Sequence, residues 1–159
     1  MQKEPITARG YDSVTTLLND LKVNQRPKIL EAIETARQLG DLKENAEYHA
    51  AKEDQANMNK RIAELEDMIT RAVIIDPSSL THEKVSFGST VLLLDLDNES
   101  EIKYTIVSSM DSNPELGYIS FHSPLAKQLL GKEEGDEINA HLPGGKKEFE
   151  ILEIYYEEN

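Results

Sequence analysis

The sequence contains no cysteine and no apolar run long enough to cross a membrane. The absence of cysteine excludes disulfides, thiol chemistry and cysteine-based zinc sites. The N-terminal stretch MQKEPITARG also lacks the apolar core of a signal peptide. We therefore expect a cytoplasmic protein with no membrane partner.

Positive charge is scarce, because 17 basic residues stand against 30 acidic ones and the net charge is −13. This balance argues against a protein that binds nucleic acid by neutralising many phosphate charges, so any contact with DNA or RNA must be local. Apolar residues make up 38% of the 159 positions. That is enough to bury a core in one mid-sized domain or two small ones.

The two halves of the chain differ in charge and composition. Residues 1–75 carry 13 acidic and 11 basic side chains, whereas residues 76–159 carry 17 and 6. The first half is rich in Ala, Leu, Glu, Lys and Gln, and the second has most of the glycines and alternating apolar patterns. We predict a helical domain over residues 1–75, a linker over residues 76–84 and a globular domain over residues 85–159.

The helical half contains two strings of residues with coiled-coil spacing. The second string starts at Glu44, advances by alternating steps of three and four, and continues through Tyr48, Ala51, Gln55, Met58, Ile62, Leu65, Ile69 and Ala72. The first string contains Val14, Leu18, Leu21, Ile29, Ile33 and Ala36. Paired in reverse order, from Val14 with Ile69 to Ala36 with Tyr48, the residue numbers add to 83 for three pairs and to 84 for the next three. This near-constant sum predicts an antiparallel coiled-coil hairpin that turns around residues 40–44.

Two local signals refine the first arm of the hairpin. Thr7 is the predicted N-cap of its first helix. Pro27, in the stretch NQRP, is expected in the first turn of a second helical piece, with a kink or break before it.

The second half is predicted to form a sheet with one short helix. Five stretches have the composition and alternation of strands: SFGSTVLLLDLD, EIKYTIV, GYISF, DEINAHL and KKEFEILEIYY. The stretch SPLAKQLLG is predicted to be a helix that Ser123 caps and Gly131 ends. The turn PGG closes a hairpin between the last two strands. We expect an α+β fold class, with a curled, mostly antiparallel sheet around the helix.

The predicted turn of the hairpin carries an unusual density of carboxylates, in GDLKENAEYHAA. One interpretation is helix capping: Asp41 is the N-cap, Glu44 completes a capping-box-like pattern and Glu47 is favoured by the helix dipole. The other interpretation is that Asp41 and Glu44 share a cation such as Mg²⁺. Two carboxylates are not a full site, so another macromolecule would have to supply the remaining ligands.

Histidine does not complete such a site. The four histidines, which show no metal-ligand spacing, are His49, His82, His122 and His141.

Four stretches of the sequence together resemble those of a known family. They are GDLKENAEYHAAK, GKEEGDE, SPLAKQLLGK and the PGG turn, and the resemblance to the bacterial Gre transcript-cleavage factors, most closely the GreA branch, spans nearly the whole chain. It implies an N-terminal antiparallel α-helical coiled-coil hairpin with an acidic tip at residues 40–45. A C-terminal domain similar to FKBP prolyl isomerases follows, without implied isomerase activity.

The resemblance also implies a function in transcription. The C-terminal domain would dock at the rim of the secondary channel of bacterial RNA polymerase, and the coiled coil would enter the channel. Its tip would help to hold the polymerase's second Mg²⁺ and a water, and so stimulate hydrolysis of backtracked RNA near the nascent 3′ end. The chain would be an accessory factor rather than an enzyme, a monomer when free, with no Mg²⁺ bound stably on its own.

Individual residues take roles from this resemblance. Asp41 and Glu44 match the acidic pair near the metal. Asn45 matches the neighbouring residue of the tip, which has an orienting role. The other matched positions are Ser123 and Pro124, in the polymerase-docking loop, and Arg37 and Lys52, in a basic patch that contacts RNA. For Arg37 and Lys52, a solvated coiled-coil face is the alternative. His122 departs from the family pattern beside the docking loop, which affects the expected details of docking.

Two other functions are considered with this one. An inhibitory homologue would occupy the same channel without promoting cleavage, but such relatives have altered tips and GDLKEN is intact here. A coiled-coil scaffold with an FKBP-like domain would have no link to RNA. A cleavage assay on a stalled polymerase complex separates all three.

Overall fold

The computed structural model describes residues 2–158, so the outer ends of the two predicted domains, Met1 and Asn159, lie outside the described residues. The chain divides into two units. The first unit contains Gln2 and Tyr11–Ala72, and the second contains Lys3–Gly10 and residues 73–158. The first unit ends at Ala72, three residues before the predicted boundary at residue 75, and Lys3–Gly10, which lie in the predicted helical domain, group with the second unit. None of the helices within residues 2–158 has the length and apolar character needed to cross a bilayer.

The hairpin consists of α1 (Ala8–Asp20), a π-helical segment (Leu21–Gln25), α2 (Arg26–Arg37) and α3 (Ala46–Arg71). Thr7 caps α1 as predicted, because its Oγ1 accepts a hydrogen bond from the Gly10 N–H at 3.0 Å. The chain reverses over residues 38–45, which confirms the predicted turn. However, α3 begins at Ala46 and ends at Arg71, so the helix is three residues shorter than the periodic string from Glu44 to Ala72.

The predicted seam is the buried face of this hairpin. The residues of the two strings that are buried are Val14, Ile33, Ala36, Ala51, Met58, Ile62 and Leu65. Each large aliphatic side chain removed from water contributes roughly 1.5–3 kcal/mol. An ion pair between Lys22 Nζ and Glu66 Oε1, at 2.9 Å, joins the two arms at the surface. Helix packing, rather than local propensity, therefore stabilises these amphipathic helices.

The π-helical segment explains the change in register between the two strings. The Arg26 N–H donates to Leu21 O, five residues earlier, so this turn holds one residue more than an α-turn. The pair sum rises from 83 to 84 between Leu21 and Ile29, the interval that contains the extra residue. Pro27 lies in the first turn of α2, as predicted, but the helical path continues through a π turn instead of breaking.

A carboxylate stabilises the start of the π-helical segment. The Asp20 side chain accepts hydrogen bonds from Asn24 Nδ2 at 2.8 Å and from Gln25 Nε2 at 3.4 Å. These two bonds hold the pKa of the Asp20 carboxyl below its ordinary value.

The second unit begins with a two-stranded sheet that sequence reasoning missed. Strand β1 (Glu4–Ile6) pairs with β2 (Ala72–Ile74), and the Ile75 N–H donates to Ile6 O at 2.9 Å. The first and last residues of β1, Glu4 and Ile6, are buried. A three-residue strand that contains a proline carries too little pattern to be predicted from sequence.

The main sheet has five strands in the order β5-β4-β3-β7-β6. These are β3 (Thr90–Asp95), β4 (Ser100–Val107), β5 (Tyr118–Ser120), β6 (Glu137–Leu142) and β7 (Gly145–Tyr155). All neighbouring pairs are antiparallel except β4 and β5, which are parallel. Strands β3, β5 and β6 fall within predicted stretches, whereas β4 and β7 each begin one residue before theirs, at Ser100 and Gly145. The α+β fold class is confirmed.

The short helix α4 (Pro124–Leu129) packs its buried side chains into the core of this sheet. Leu125, Ala126 and Leu129 lie in one cluster with strand residues that include Leu93 and Ile106. The predicted cap is confirmed, because Ser123 Oγ accepts from the Ala126 N–H at 3.3 Å. Gly131 follows the helix with a φ of +83°, a backbone conformation that favours glycine.

The stretch predicted as a linker, residues 76–84, is packed into the second unit. It contains a 3₁₀ turn (Pro77–Ser79) and the buried His82. His82 Nδ1 lies 2.6 Å from Ser89 Oγ, and Nε2 lies 2.6 Å from Pro77 O. The imidazole also stacks on Tyr156, with ring centroids 5.3 Å apart. These contacts connect the segment to two other parts of the same unit.

Candidate functional site

The acidic residues lie in the segment that reverses the chain between α2 and α3, residues 38–45, which we call the tip loop. Gly40 has a φ of +122°, which side-chain-bearing residues rarely adopt, and it starts the reversal just after α2. Asp41 and Glu44 follow it, and both are exposed. The loop therefore presents two carboxylates to solvent at one end of the helical hairpin.

Asp41 does not cap α3, so the capping interpretation is wrong for this residue. Its Oδ1 instead accepts from the Lys43 N–H at 3.0 Å, two residues on, in an Asx turn within the loop. Glu44 precedes the helix and so cannot complete a capping box in its first turn. Glu47 does lie in the first turn of α3, as predicted, where the helix dipole favours a negative charge.

Asn45 is the N-cap of α3. Its Oδ1 accepts from the Tyr48 N–H at 3.0 Å, while its Nδ2 donates to Ala36 O at 2.6 Å. One side-chain amide thereby joins the last turn of α2 to the first turn of α3. This gives a physical basis for an orienting role, because both ends of the tip loop are held by the same residue.

His49 makes a contact at the tip loop that sequence reasoning missed. Its Nε2 lies 3.1 Å from Lys43 O, and its ring meets the Tyr48 ring edge-on, with centroids 5.7 Å apart. The available signal was helical spacing, since His49 is four residues after Asn45 and residues four apart share a helix face.

The tip loop supplies only a few possible metal ligands. Within residues 2–158, no cluster of three or more histidine, aspartate or glutamate side chains could hold a metal ion. Mg²⁺ prefers oxygen ligands and is commonly held by one or two carboxylates together with waters and substrate phosphates. Asp41 and Glu44 therefore have the ligand chemistry for part of a Mg²⁺ site, and residues 2–158 add no cluster that would complete it.

The two predicted RNA-contacting residues lie on different helices of the hairpin. Arg37 is exposed in the last turn of α2. Lys52 is exposed on α3, and its Nζ donates to Gln55 Oε1 at 2.9 Å. Both positive charges are accessible to a partner, as a local contact with RNA requires.

The predicted docking residues lie at the start of α4 in the second unit. Ser123 is half-buried, since its hydroxyl caps the helix, and Pro124 is exposed. The preceding His122 places Nε2 2.6 Å from Oε2 of the buried Glu4. The other Glu4 oxygen, Oε1, accepts from the Ser109 N–H at 2.8 Å. His122 therefore connects the loop before α4 to strand β1.

Two family models together match almost the whole chain. The model described as "Transcription elongation factor, N-terminal" matches residues 4–74. The model described as "Transcription elongation factor, GreA/GreB, C-term" matches residues 80–156.

Individual proteins are similar over the same length. The transcription elongation factor GreA of Aliarcobacter butzleri is 58% identical, with 99% of this chain and 98% of the relative covered. That of Nitratiruptor is 57% identical, with 98% and 94% covered. Among solved structures, GreA factor homolog 1 of Thermus thermophilus is 29% identical over 97% of this chain and 99% of that chain, with a TM-score of 0.43.

Proposed function

The chain belongs to the GreA/GreB family of transcription elongation factors, and we propose that it stimulates RNA polymerase to hydrolyse backtracked RNA. The factor is an accessory protein in this proposal, because the reacting RNA and the rest of the metal site belong to the polymerase. It acts in the cytoplasm of a bacterium and is a monomer when free.

One observation supports the proposal: the tip loop presents two exposed carboxylates, and residues 2–158 hold no cluster of three or more histidine, aspartate or glutamate side chains that could complete a metal site with them. The carboxylates are held on a backbone that is bonded to both arms of the hairpin, through Asn45 and His49. Such an arrangement has no use as a metal site in the isolated chain. It becomes useful when a partner supplies phosphate oxygens, waters and further ligands.

Asp41 and Glu44 would hold Mg²⁺ jointly with the polymerase. Bound there, the ion would lower the pKa of a water and stabilise the oxygen that leaves during phosphodiester hydrolysis. Asp41 uses Oδ1 in its bond to the Lys43 N–H, which leaves Oδ2 for another partner. Both carboxylates can also accept hydrogen bonds from a water and orient it toward the RNA.

The remaining predicted residues support binding rather than chemistry. Ser123 and Pro124 begin α4 and would contact the polymerase at the rim of its secondary channel. Arg37 and Lys52 would contact the nascent RNA near its 3′ end through local phosphate contacts. A net charge of −13 requires such contacts to be few and local.

The test is a cleavage assay on a stalled, backtracked bacterial polymerase complex with Mg²⁺. Asp41→Asn and Glu44→Gln keep the shape of each side chain and remove its charge. We expect each to reduce cleavage on the order of 100-fold or more, as expected for loss of a preorganised charge-stabilising group. Binding to the polymerase should change little, because both side chains are exposed.

The matched control is Glu53→Gln, which removes an exposed carboxylate from α3 away from the tip loop. It should cleave like the unmodified protein. Normal cleavage by both acidic variants would refute the proposal. Blocked synthesis without shortened RNA would indicate an inhibitory homologue, and failure to bind polymerase would indicate a scaffold.

A further inference from the structure

Both backbone polar groups of Lys43 are held by side chains. Its N–H donates to Asp41 Oδ1 at 3.0 Å, and its carbonyl oxygen lies 3.1 Å from His49 Nε2. The first bond is internal to the tip loop, so it shapes the loop without attaching it to a helix. The second bond attaches the middle of the loop to α3.

The bond to Lys43 O acts directly on the path of the chain into Glu44. A peptide unit is planar, so Lys43 O lies in one plane with the nitrogen and Cα of Glu44. A hydrogen-bond partner that fixes this oxygen therefore restricts the orientation of the Lys43–Glu44 peptide plane. That plane contains the Cα atom that carries the Glu44 side chain. Asn45 holds the end of the loop, whereas His49 holds its centre, between the two carboxylates.

The chemistry of the contact assigns the proton on His49. A carbonyl oxygen can only accept a hydrogen bond, so Nε2 must carry hydrogen. The neutral Nε2–H tautomer meets this condition, and so does the imidazolium, since both of its nitrogens donate. His49 lies on α3 next to Tyr48, whose N–H is bonded to Asn45 Oδ1, so the imidazole is attached to a capped helical turn.

We propose that His49 is a positioning residue that directs the Glu44 carboxylate by holding the peptide between Lys43 and Glu44. This inference rests on the proposed function, because the carboxylate is positioned for cleavage of RNA held by the polymerase. His49 itself touches neither metal nor RNA in this account. Its ring contact with Tyr48 is separable from its hydrogen bond, and the experiment separates the two.

Two substitutions at the same position distinguish the hydrogen bond from the ring. His49→Phe keeps an aromatic ring beside Tyr48 and removes the donor. His49→Gln removes the ring and retains an Nε2–H group near the position of the imidazole nitrogen. His141→Phe is the matched control, since His141 is an exposed histidine on β6 in the other unit.

The first measurement uses the free protein in solution and needs no polymerase. Long-range ¹H–¹⁵N NMR spectra at pH 8 should show His49 as the Nε2–H tautomer. Backbone ¹⁵N relaxation should show larger fast motions at residues 42–44 in His49→Phe and near-normal motions in His49→Gln. An Nδ1–H tautomer, or unchanged motions in His49→Phe, would overturn the proposal.

The second measurement is cleavage of the backtracked complex as a function of factor and Mg²⁺ concentration. We expect His49→Phe to reduce cleavage at limiting Mg²⁺ about 10-fold, the lower end of the loss seen when a residue that orients a metal ligand is removed. The concentration of factor that gives half-maximal cleavage should not change. His49→Gln should recover most of the rate, and His141→Phe should behave like the unmodified protein.

The acidic variants in the same assay separate this inference from the proposed function. If Asp41→Asn and Glu44→Gln abolish cleavage while His49→Phe cleaves normally, the positioning role is refuted and the proposed function stands. If Asp41→Asn, Glu44→Gln and His49→Phe all cleave normally, both are refuted. If His49→Gln loses activity while His49→Phe cleaves normally, both with intact melting curves, the ring is responsible and the hydrogen bond is not.

Discussion

At the scale of single residues, the tip loop depends on which side chain caps α3. Aspartate and asparagine are both favourable N-caps, and the spacing of Asp41 and Glu44 imitates a capping box. In the structure Asn45 is the N-cap of α3, because the residues between Gly40 and Asn45 form the loop in which the chain reverses direction. As a consequence, Asp41 and Glu44 lie outside the helix, and both carboxylates are exposed.

Replacement of Asn45 should separate its two hydrogen bonds. Asn45→Ala removes the cap and the bond to Ala36 O, and should lower the free energy of unfolding of the hairpin by about 1–2 kcal/mol. Asn45→Asp keeps an acceptor for the Tyr48 N–H but cannot donate to Ala36 O. Hydrogen exchange should therefore accelerate at the Tyr48 amide in Asn45→Ala only. Equal protection of that amide in both variants would contradict the assignment of the cap.

At the scale of elements, the packing of residues 76–84 shows how a presumed linker becomes part of a unit. Asp76 Oδ1 accepts from the Ser78 N–H at 3.0 Å and so starts the 3₁₀ turn at Pro77. That turn lies against Gly88, where an added Cβ would come within 2.3 Å of Pro77 Cβ. Gly88 also has a φ of +86°. A glycine is needed there for two independent reasons, backbone conformation and space.

A pair of glycine substitutions should separate these two reasons. Gly135 has a φ of +91°, close to that of Gly88, but nothing lies within 4 Å of its added Cβ. Gly135→Ala should therefore cost about 1–2 kcal/mol of stability through backbone strain alone. Gly88→Ala should cost a further amount of about 1–3 kcal/mol, because the methyl group displaces the Pro77 turn. Urea denaturation of both variants checks this, and equal losses would mean that the turn moves aside freely.

At the scale of the whole molecule, the second unit contains residues that precede the hairpin in sequence and residues that follow it. Lys3–Gly10 precede the hairpin in sequence, and residues 73–158 follow it. Glu4 makes the connection specific, because its buried carboxylate contacts both His122 and the Ser109 N–H. The start of the chain thus helps to hold the loop proposed to dock on the polymerase.

Removal of the Glu4 carboxylate should weaken the second unit and leave the hairpin intact. Glu4→Ala deprives His122 and Ser109 of an acceptor, so we expect a loss of about 1–3 kcal/mol in the free energy of unfolding of that unit. Hydrogen exchange should accelerate at Ser109 and remain unchanged in α3. Glu4→Gln, which retains an oxygen for the Ser109 N–H, should lose less. Faster exchange throughout the hairpin would show that the effect is not confined to the second unit.

The sequence by itself determined the helical hairpin, the stretches that form the main strands and the family. The hairpin and the strands follow from local periodicity, since a helix returns to the same face every 3.6 residues and a strand every 2. The family follows from the resemblance of the stretches GDLKENAEYHAAK, GKEEGDE, SPLAKQLLGK and PGG to those of known members. The pair sum changes by one between Leu21 and Ile29, but from Pro27 we predicted a kink or break, and only the structure shows a π turn there. The exposed position of Asp41 and Glu44 beside Gly40 was also predictable, because it depends on residue types close together in sequence.

Only the tertiary structure decided which polar groups meet. Strand β1 joins the second unit, His82 is buried against Ser89 and Tyr156, and His49 reaches Lys43 O. On β7, both Ile151 and Ile154 face the core although they are three residues apart, because a register shift opposite Leu92 and Leu93 interrupts the alternation. Hydrogen-bond partners and bulges depend on where the backbone lies after folding, and a one-dimensional pattern does not contain those positions.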